Sequence, residues 1–194
     1  MGQFNIEQTH EGECYLYIGV AIPAAGAEIT LTADGKPDPT ENPLAKLMGL
    51  STDGVTTTIT KSTKDKNFDE FKAPLESSID QTGMTMKTTR AQILDMDVLL
   101  AALAGVGTAQ TVAGKKKITL GQSAINKASI VAISPQSYDR TKFLVSHMYA
   151  GHNVSNVDIL MSGKNPAGIP LEFRGSEVPT RAKDDTLGQI WFNE

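Results

Sequence analysis

Ala128-Ser129-Ile130-Val131-Ala132-Ile133 stops at Ser134-Pro135, and Lys142-Phe143-Leu144-Val145-Ser146-His147-Met148-Tyr149 stops near Gly151. Both are short runs rich in residues that suit extended backbone, and both are bounded by turn-forming residues. They predict neighbouring strands. The same grammar continues downstream: Val154 to Met161 and Ile169 to Arg174 are separated by Gly163 to Pro166 and closed by Gly175. Short strands at this spacing predict a mainly β subunit, either a sandwich or a partly closed barrel.

Upstream the pattern is less regular. Tyr15 to Val20 reads as a strand ended by Pro23 and the small residues Ala24 to Gly26. Ile29 and Leu31 alternate with Thr30 and Thr32, the signature of a half-buried strand. In Ala33-Asp34-Gly35-Lys36-Pro37-Asp38-Pro39-Thr40-Glu41-Asn42-Pro43, Asp-Gly suits a tight turn while the prolines oppose a paired strand. A long exposed loop is therefore expected over 32–50. Its apolar end, Leu44, Leu47, Met48 and Leu50, needs a surface to rest on. Val55 to Lys61 is a threonine-rich strand, since β-branching favours extended backbone. Lys61 to Phe71 is charged and predicts a solvated loop, with Phe68 and Phe71 either pinned to the core or offered to a neighbouring molecule.

Ser78 to Ile93 is again extended, with Ile79, Met84, Met86 and Thr88 as its apolar face. The methionines read as core or interface filler. One flanking α-helix is expected next, capped by Asp97, carried by Val98 to Leu103 and closed by Gly105. Leu99, Leu100 and Leu103 should face the sheet and be heavily buried. Gly105 to Lys117 reads as a loop or hairpin tip. The chain finishes with Leu187, Ile190, Trp191 and Phe192, an apolar patch that docks on its own domain or is handed to a neighbour.

The 194 residues suit one domain, expected to bury roughly 70% of the extended-chain surface. With 40% hydrophobic residues, a wholly disordered chain is excluded. Eighteen basic against 22 acidic residues leave a net charge of −4, which opposes an extensive nucleic-acid-binding surface. A single cysteine, Cys14, excludes an intrachain disulfide framework and a multi-cysteine zinc module. Met1 to His10 is polar and unlike a signal peptide. The most continuous apolar stretches, Gly19 to Ala27 and Val98 to Val106, fall far short of the ~20 residues a spanning helix needs. The expectation is a product of the cytoplasm with no membrane partner.

Residues that could carry chemistry are sparse. His147 and His152 have Asp158 downstream and His10 remote, which does not make the convergent set a metal ion needs. Asp95 and Asp97 share a parity, but capping is the ordinary role for Asp97. Cys14 has no neighbouring histidine to activate it, and its surroundings suit a buried thiol. Gly12, Gly19 and Gly105-Val106-Gly107 lack the strand–glycine–helix context of a phosphate-binding fingerprint. Lys115-Lys116-Lys117 is the one dense basic run, a solvated loop or a weak phosphate contact in an assembled state. No catalytic, cofactor or metal site is expected.

Four stretches then bear on function. Ala33 to Pro39 with the strand at Val55 to Thr60, Phe68-Asp69-Glu70-Phe71-Lys72-Ala73-Pro74, and Met84 to Leu103 with Gln92-Ile93-Leu94-Asp95-Met96-Asp97 resemble parts of the major tail proteins of long-tailed, non-contractile bacteriophages. The run from Ile159 through Asn165-Pro166 to Phe173 is similar as well, so the resemblance covers most of the chain. It implies a tail-tube-type β-sandwich or barrel with one flanking helix and long inter-strand loops. It also implies homohexameric rings stacked into a virion tail tube, synthesised in the host cytoplasm. Its partners would be further copies of itself, the tape-measure protein in the lumen, and tail-tip and tail-terminator proteins, with double-stranded DNA passing transiently. Carried onto this chain, bridging between rings falls to 1–13, 32–50, 61–74 and 186–194. Leu44, Leu47, Met48, Leu50, Phe68, Phe71, Ile190, Trp191 and Phe192 are the contact candidates. A mildly acidic subunit suits a conduit, because every phosphate contact must be broken during passage.

Two other readings stay open. An adhesive or carbohydrate-binding β-module would need clustered exposed aromatics, which 6% aromatic content and one tryptophan supply poorly. The ring protein of a contractile injection tube shares the fold logic and differs mainly in its outer surface.

Overall fold

The computed structural model describes residues 13–51, 54–66, 76–92, 99–100, 103, 107–121, 124–136, 139, 141–157 and 168–193. Ten strands lie among them: β1 Cys14–Ile18, β2 Lys46–Ser51, β3 Val55–Lys66, β4 Glu76–Gln92, β5 Gly107–Val112, β6 Lys115–Leu120, β7 Ala128–Pro135, β8 Phe143–Asn153, β9 Gly168–Gly175 and β10 Gly188–Phe192. Eight form one antiparallel sheet in the order β2-β1-β7-β8-β9-β4-β3, with β10 also paired to β8, and β5-β6 is a separate hairpin.

The sheet branches at β8. Leu144 to Met148 pair with β10, while Gly151 to Asn153 pair with the end of β9. Two layers result, β2-β1-β7-β8-β10 and β9-β4-β3, joined by three residue pairs. The second layer folds back over the first. Thr57 on β3 donates to Ser146 on β8 at 3.0 Å, and Thr88 on β4 donates to Ser51 on β2 at 2.9 Å. The arrangement is an open sandwich rather than a closed barrel.

Alternation explains both faces of the first layer. Leu16, Ile18, Met48, Ile130, Ala132 and Met148 point between the layers, where they meet Met84, Met86, Leu171 and Phe173. Tyr17, Val131, Ile133, Phe143 and Val145 point the other way. That outer face is covered by Val20, Ile29, Leu31 and Ala45 from the segment linking β1 and β2, and by Trp191. β7 is thus buried on both faces, which is why its run is almost uninterrupted in apolar residues.

Several sequence expectations take a different form here. The 32–50 stretch is not a free loop: its last part is β2, paired with β1, and its first part lies on the outer face. The Asp34-Gly35 turn forms, with Gly35 N donating to Thr32 O at 2.8 Å, and Gly35 stands directly over the Phe143 ring. Asn42 is buried and accepts from Ala21 N, which ties the two ends of the segment together. The prolines keep this segment from joining the ladder, but they stop short of β2, so pairing resumes at Lys46. Ile29 and Leu31 are covered while Thr30 is exposed, yet only an isolated bridge from Leu31 to Pro37 forms. The charged residues after Lys61 continue β3 to Lys66 instead of forming a loop, because β4 is long enough to pair with them. The 186–194 segment contains β10, which pairs with β8. β8 runs on to Asn153, whereas Val154 to Val157 form no strand.

Helix among the described residues is confined to Leu99 and Leu100, with Leu103 N donating to Leu99 O at 2.9 Å. Leu99, Leu100 and Leu103 are half-buried rather than heavily buried. The expected cap Asp97 lies outside the described residues, as do Phe68, Phe71 and the 1–12 part of the N-terminal arm.

Candidate functional site

The outer face of β7 and β8 holds a polar cluster. Ser129 Oγ and His147 Nε2 are 2.7 Å apart, and His147 Nδ1 has no hydrogen-bond partner. The Tyr149 hydroxyl donates to Asp185 Oδ1 at 2.6 Å. Arg181 pairs with the same carboxylate, lies 4.3 Å over the Tyr149 ring and donates to Pro23 O at 2.6 Å. The cluster fastens two loops, at Pro23 and at Arg181 to Asp185, onto the sheet.

A serine–histidine pair is the geometry of an activated nucleophile, but this one is sealed. His147 has no exposed surface and its ring is edge-on to Tyr149 and near Trp191. Burial, reinforced by Arg181, pulls its pKa down to about 4, so at neutral pH it is an uncharged core group. Asp185 is held below the usual carboxylate range, chiefly by the Tyr149 hydroxyl, while burial pushes the Tyr149 phenol up. His152 is half-buried and also shifted down by burial. Among the described residues no group of three or more histidine, cysteine, aspartate or glutamate side chains could hold a metal ion. Asp158 lies outside them. Burial pushes the Cys14 thiol up to about 11.

The assembly candidates divide. Leu44 and Leu47 are exposed, at 76% and 49%, on the outer strand β2 and the turn leading into it. Met48, next to Leu47, is 1% exposed and belongs to the core, because successive residues of a strand point to opposite faces. The side chain of Leu50 lies outside the described set. Ile190 and Phe192 are exposed on β10, whereas Trp191 packs on the outer-face core.

Two of the clefts lined by described residues lie between the layers. The smaller, about 230 Å³, is lined by Cys14, Val55, Thr57, Leu144 and Ile190 among others. The larger, about 1030 Å³, opens between β10 and the β3–β4 hairpin. Its apolar lining is Ile59, Ile79, Met84, Leu187 and Ile190, and its charged lining is Glu177, Lys183 and Asp184. A register slip that pairs Ser62 with Gln81 and Thr63 with Ile79 brings Ile79 to the same cleft as Met84 despite their opposite parity in sequence.

Sequence reading did not single out Ile59, nor the partnership of Tyr149, Arg181 and Asp185. The latter has no local signal, since Arg181 and Asp185, four residues apart, stand in a turn segment and not in a helix. No helix among the described residues is long and apolar enough to cross a membrane. Comparison with known protein families and with curated proteins finds no match to this chain.

Proposed function

We propose that this chain is a structural subunit that assembles with copies of itself into hexameric rings, stacked as the tail tube of a long-tailed bacteriophage. One observation carries the self-assembly part. Among the described residues both end strands of the main sheet, β2 and β3, have one edge with no strand partner, and both carry exposed apolar side chains, Leu47 and Ile59. Soluble monomers normally guard such edges, whereas a ring uses them up between neighbours. The tail-tube part rests on the sequence resemblance, supported by the net charge of −4 and by polar groups that meet inside the fold rather than in an open cleft. In this reading the tape-measure protein and then DNA occupy the lumen, and the exposed Leu44, Leu47, Ile190 and Phe192 serve subunit contacts.

Electron microscopy and mass measurement across a concentration series of purified protein test this. Rings of six copies and tubes of constant diameter are the expected outcome. A chain that remains monomeric at millimolar concentration, with and without tail-tip components as nuclei, overturns it.

A further inference from the structure

The large cleft is bordered by open strand edges. β10 pairs with β8 along one side and with no described strand along the other. β4 meets β9 only from Thr85 onward, so its stretch beside the cleft, Ile79 to Met84, pairs only with β3 among the described residues. Backbone donors and acceptors at such edges call for water or another strand. At about 1030 Å³ the cleft is at the upper end of small-ligand sites, and its exposed floor, Ile59, Ile79 and Ile190, is apolar. These features suit a strand or hairpin better than a small molecule.

A segment with matching needs is present in the same chain. The β5–β6 hairpin pairs with no other strand among the described residues, and an isolated two-stranded hairpin is at best marginally stable in water. Ile118 and Leu120 share a parity, and Leu120 is 72% exposed. Between Gly107 and Leu120 the sequence holds Lys115, Lys116 and Lys117 and no acid, a charge of +3, so the rest of the chain carries −4 − 3 = −7. The cleft rim contributes two carboxylates, Glu177 and Asp184, against one ammonium, Lys183.

We infer that the cleft between β10 and β4 receives the β5–β6 hairpin of a second copy, with Ile118 and Leu120 on its apolar floor and the lysines at the Glu177–Asp184 rim. Donor hairpin and acceptor cleft are different surfaces, so the contact is head-to-tail and propagates from copy to copy. It rests on the self-assembly reading and specifies a contact that reading leaves unassigned.

A charge swap tests it. Lys115→Glu/Lys117→Glu and Glu177→Lys/Asp184→Lys, each first checked for a wild-type circular dichroism spectrum and thermal midpoint, are compared by sedimentation velocity. Each alone should weaken self-association at least tenfold, and an equimolar mixture should restore it, because each reversed hairpin then meets a reversed cleft. Wild-type association should also fall as salt is raised. Independently, mixing Leu120→Cys with Ile190→Cys under oxidation should trap a disulfide-linked dimer. Rings that form normally from both charge variants, or no cross-linked dimer, would overturn the hairpin contact while leaving self-assembly intact. A monomeric wild type overturns both. A hairpin seated in its own chain's cleft, seen as an intramolecular cross-link in the Leu120→Cys/Ile190→Cys double variant, overturns the intermolecular form.

Discussion

Cys14 sits where its chemistry is suppressed. It is 3% exposed between the layers, and burial raises its thiol to about 11, so the thiolate is scarce at pH 8. A disulfide-exchange reagent at pH 8 should react slowly with the native chain and stoichiometrically once urea unfolds it; rapid native reaction would place Cys14 at the surface. A second residue carries strain instead. Ala113 has φ of 51° in the two-residue turn of the β5–β6 hairpin, beside Gly114 at 75°. Both central positions of such a turn favour glycine or asparagine, and alanine there costs about 1 kcal/mol relative to glycine. Ala113→Gly should therefore slow hydrogen exchange of the hairpin amides several-fold. An unchanged exchange rate would mean that the turn is not the weak point of the hairpin.

The stretch from Leu44 to Met48, which leads into β2, has two jobs that a reading of residue types alone merges into one. Leu44, Leu47 and Met48 are all apolar and close in sequence, which is why they read as one exposed anchor. Strand alternation separates the last two, and Leu44 precedes the strand: Met48 fills the core, while Leu44 and Leu47 remain outside. Met48→Ala should cost roughly 2–5 kcal/mol of unfolding free energy by leaving a cavity. Leu44→Lys/Leu47→Lys should change monomer stability by less than about 0.5 kcal/mol, yet reduce ring formation. Equal effects of the two changes on chemical denaturation would contradict this division. The same contrast marks what the sequence made legible. Uninterrupted strands announced themselves: Ala128 to Ile133, most of β8, and the shared face of Met84, Met86 and Thr88, all three now buried. Pairings that depend on a slipped register, such as Ile79 opposite Thr63, left no periodic trace. Nor did contacts made by chance of topology, such as Arg181 with Pro23, 158 residues apart. Candidate contact residues were legible as apolar side chains, but which of two neighbours such as Leu47 and Met48 is covered depends on which face of β2 the second layer packs against.

At the scale of the molecule, the polar clasp makes global stability a function of pH. His147 is uncharged in the fold, and the groups facing it are Ser129, Tyr149, Arg181 and Asp185. In the unfolded chain the imidazole takes up a proton below its ordinary value of 6.5, whereas in the native chain it does so only near 4. Between those values the unfolded state binds more protons, so stability rises with pH. The contribution is complete above about pH 6.5 and is lost as pH falls toward 4, at ~1.4 kcal/mol per pH unit and about 3 kcal/mol in all. Asp185 acts in the same direction lower down, since its carboxyl is held below the usual range by Tyr149 and Arg181 and loses that advantage when protonated. Urea unfolding of dilute, monomeric protein at pH 7, 5.5 and 4.5 measures the slope directly. His147→Gln, which keeps a polar group able to reach Ser129 but cannot titrate, should flatten the curve between pH 6.5 and 4.5 while leaving the fall at lower pH to which Asp185 contributes. A variant that keeps the full wild-type slope across that window would show that His147 is not the group whose protonation opens the clasp.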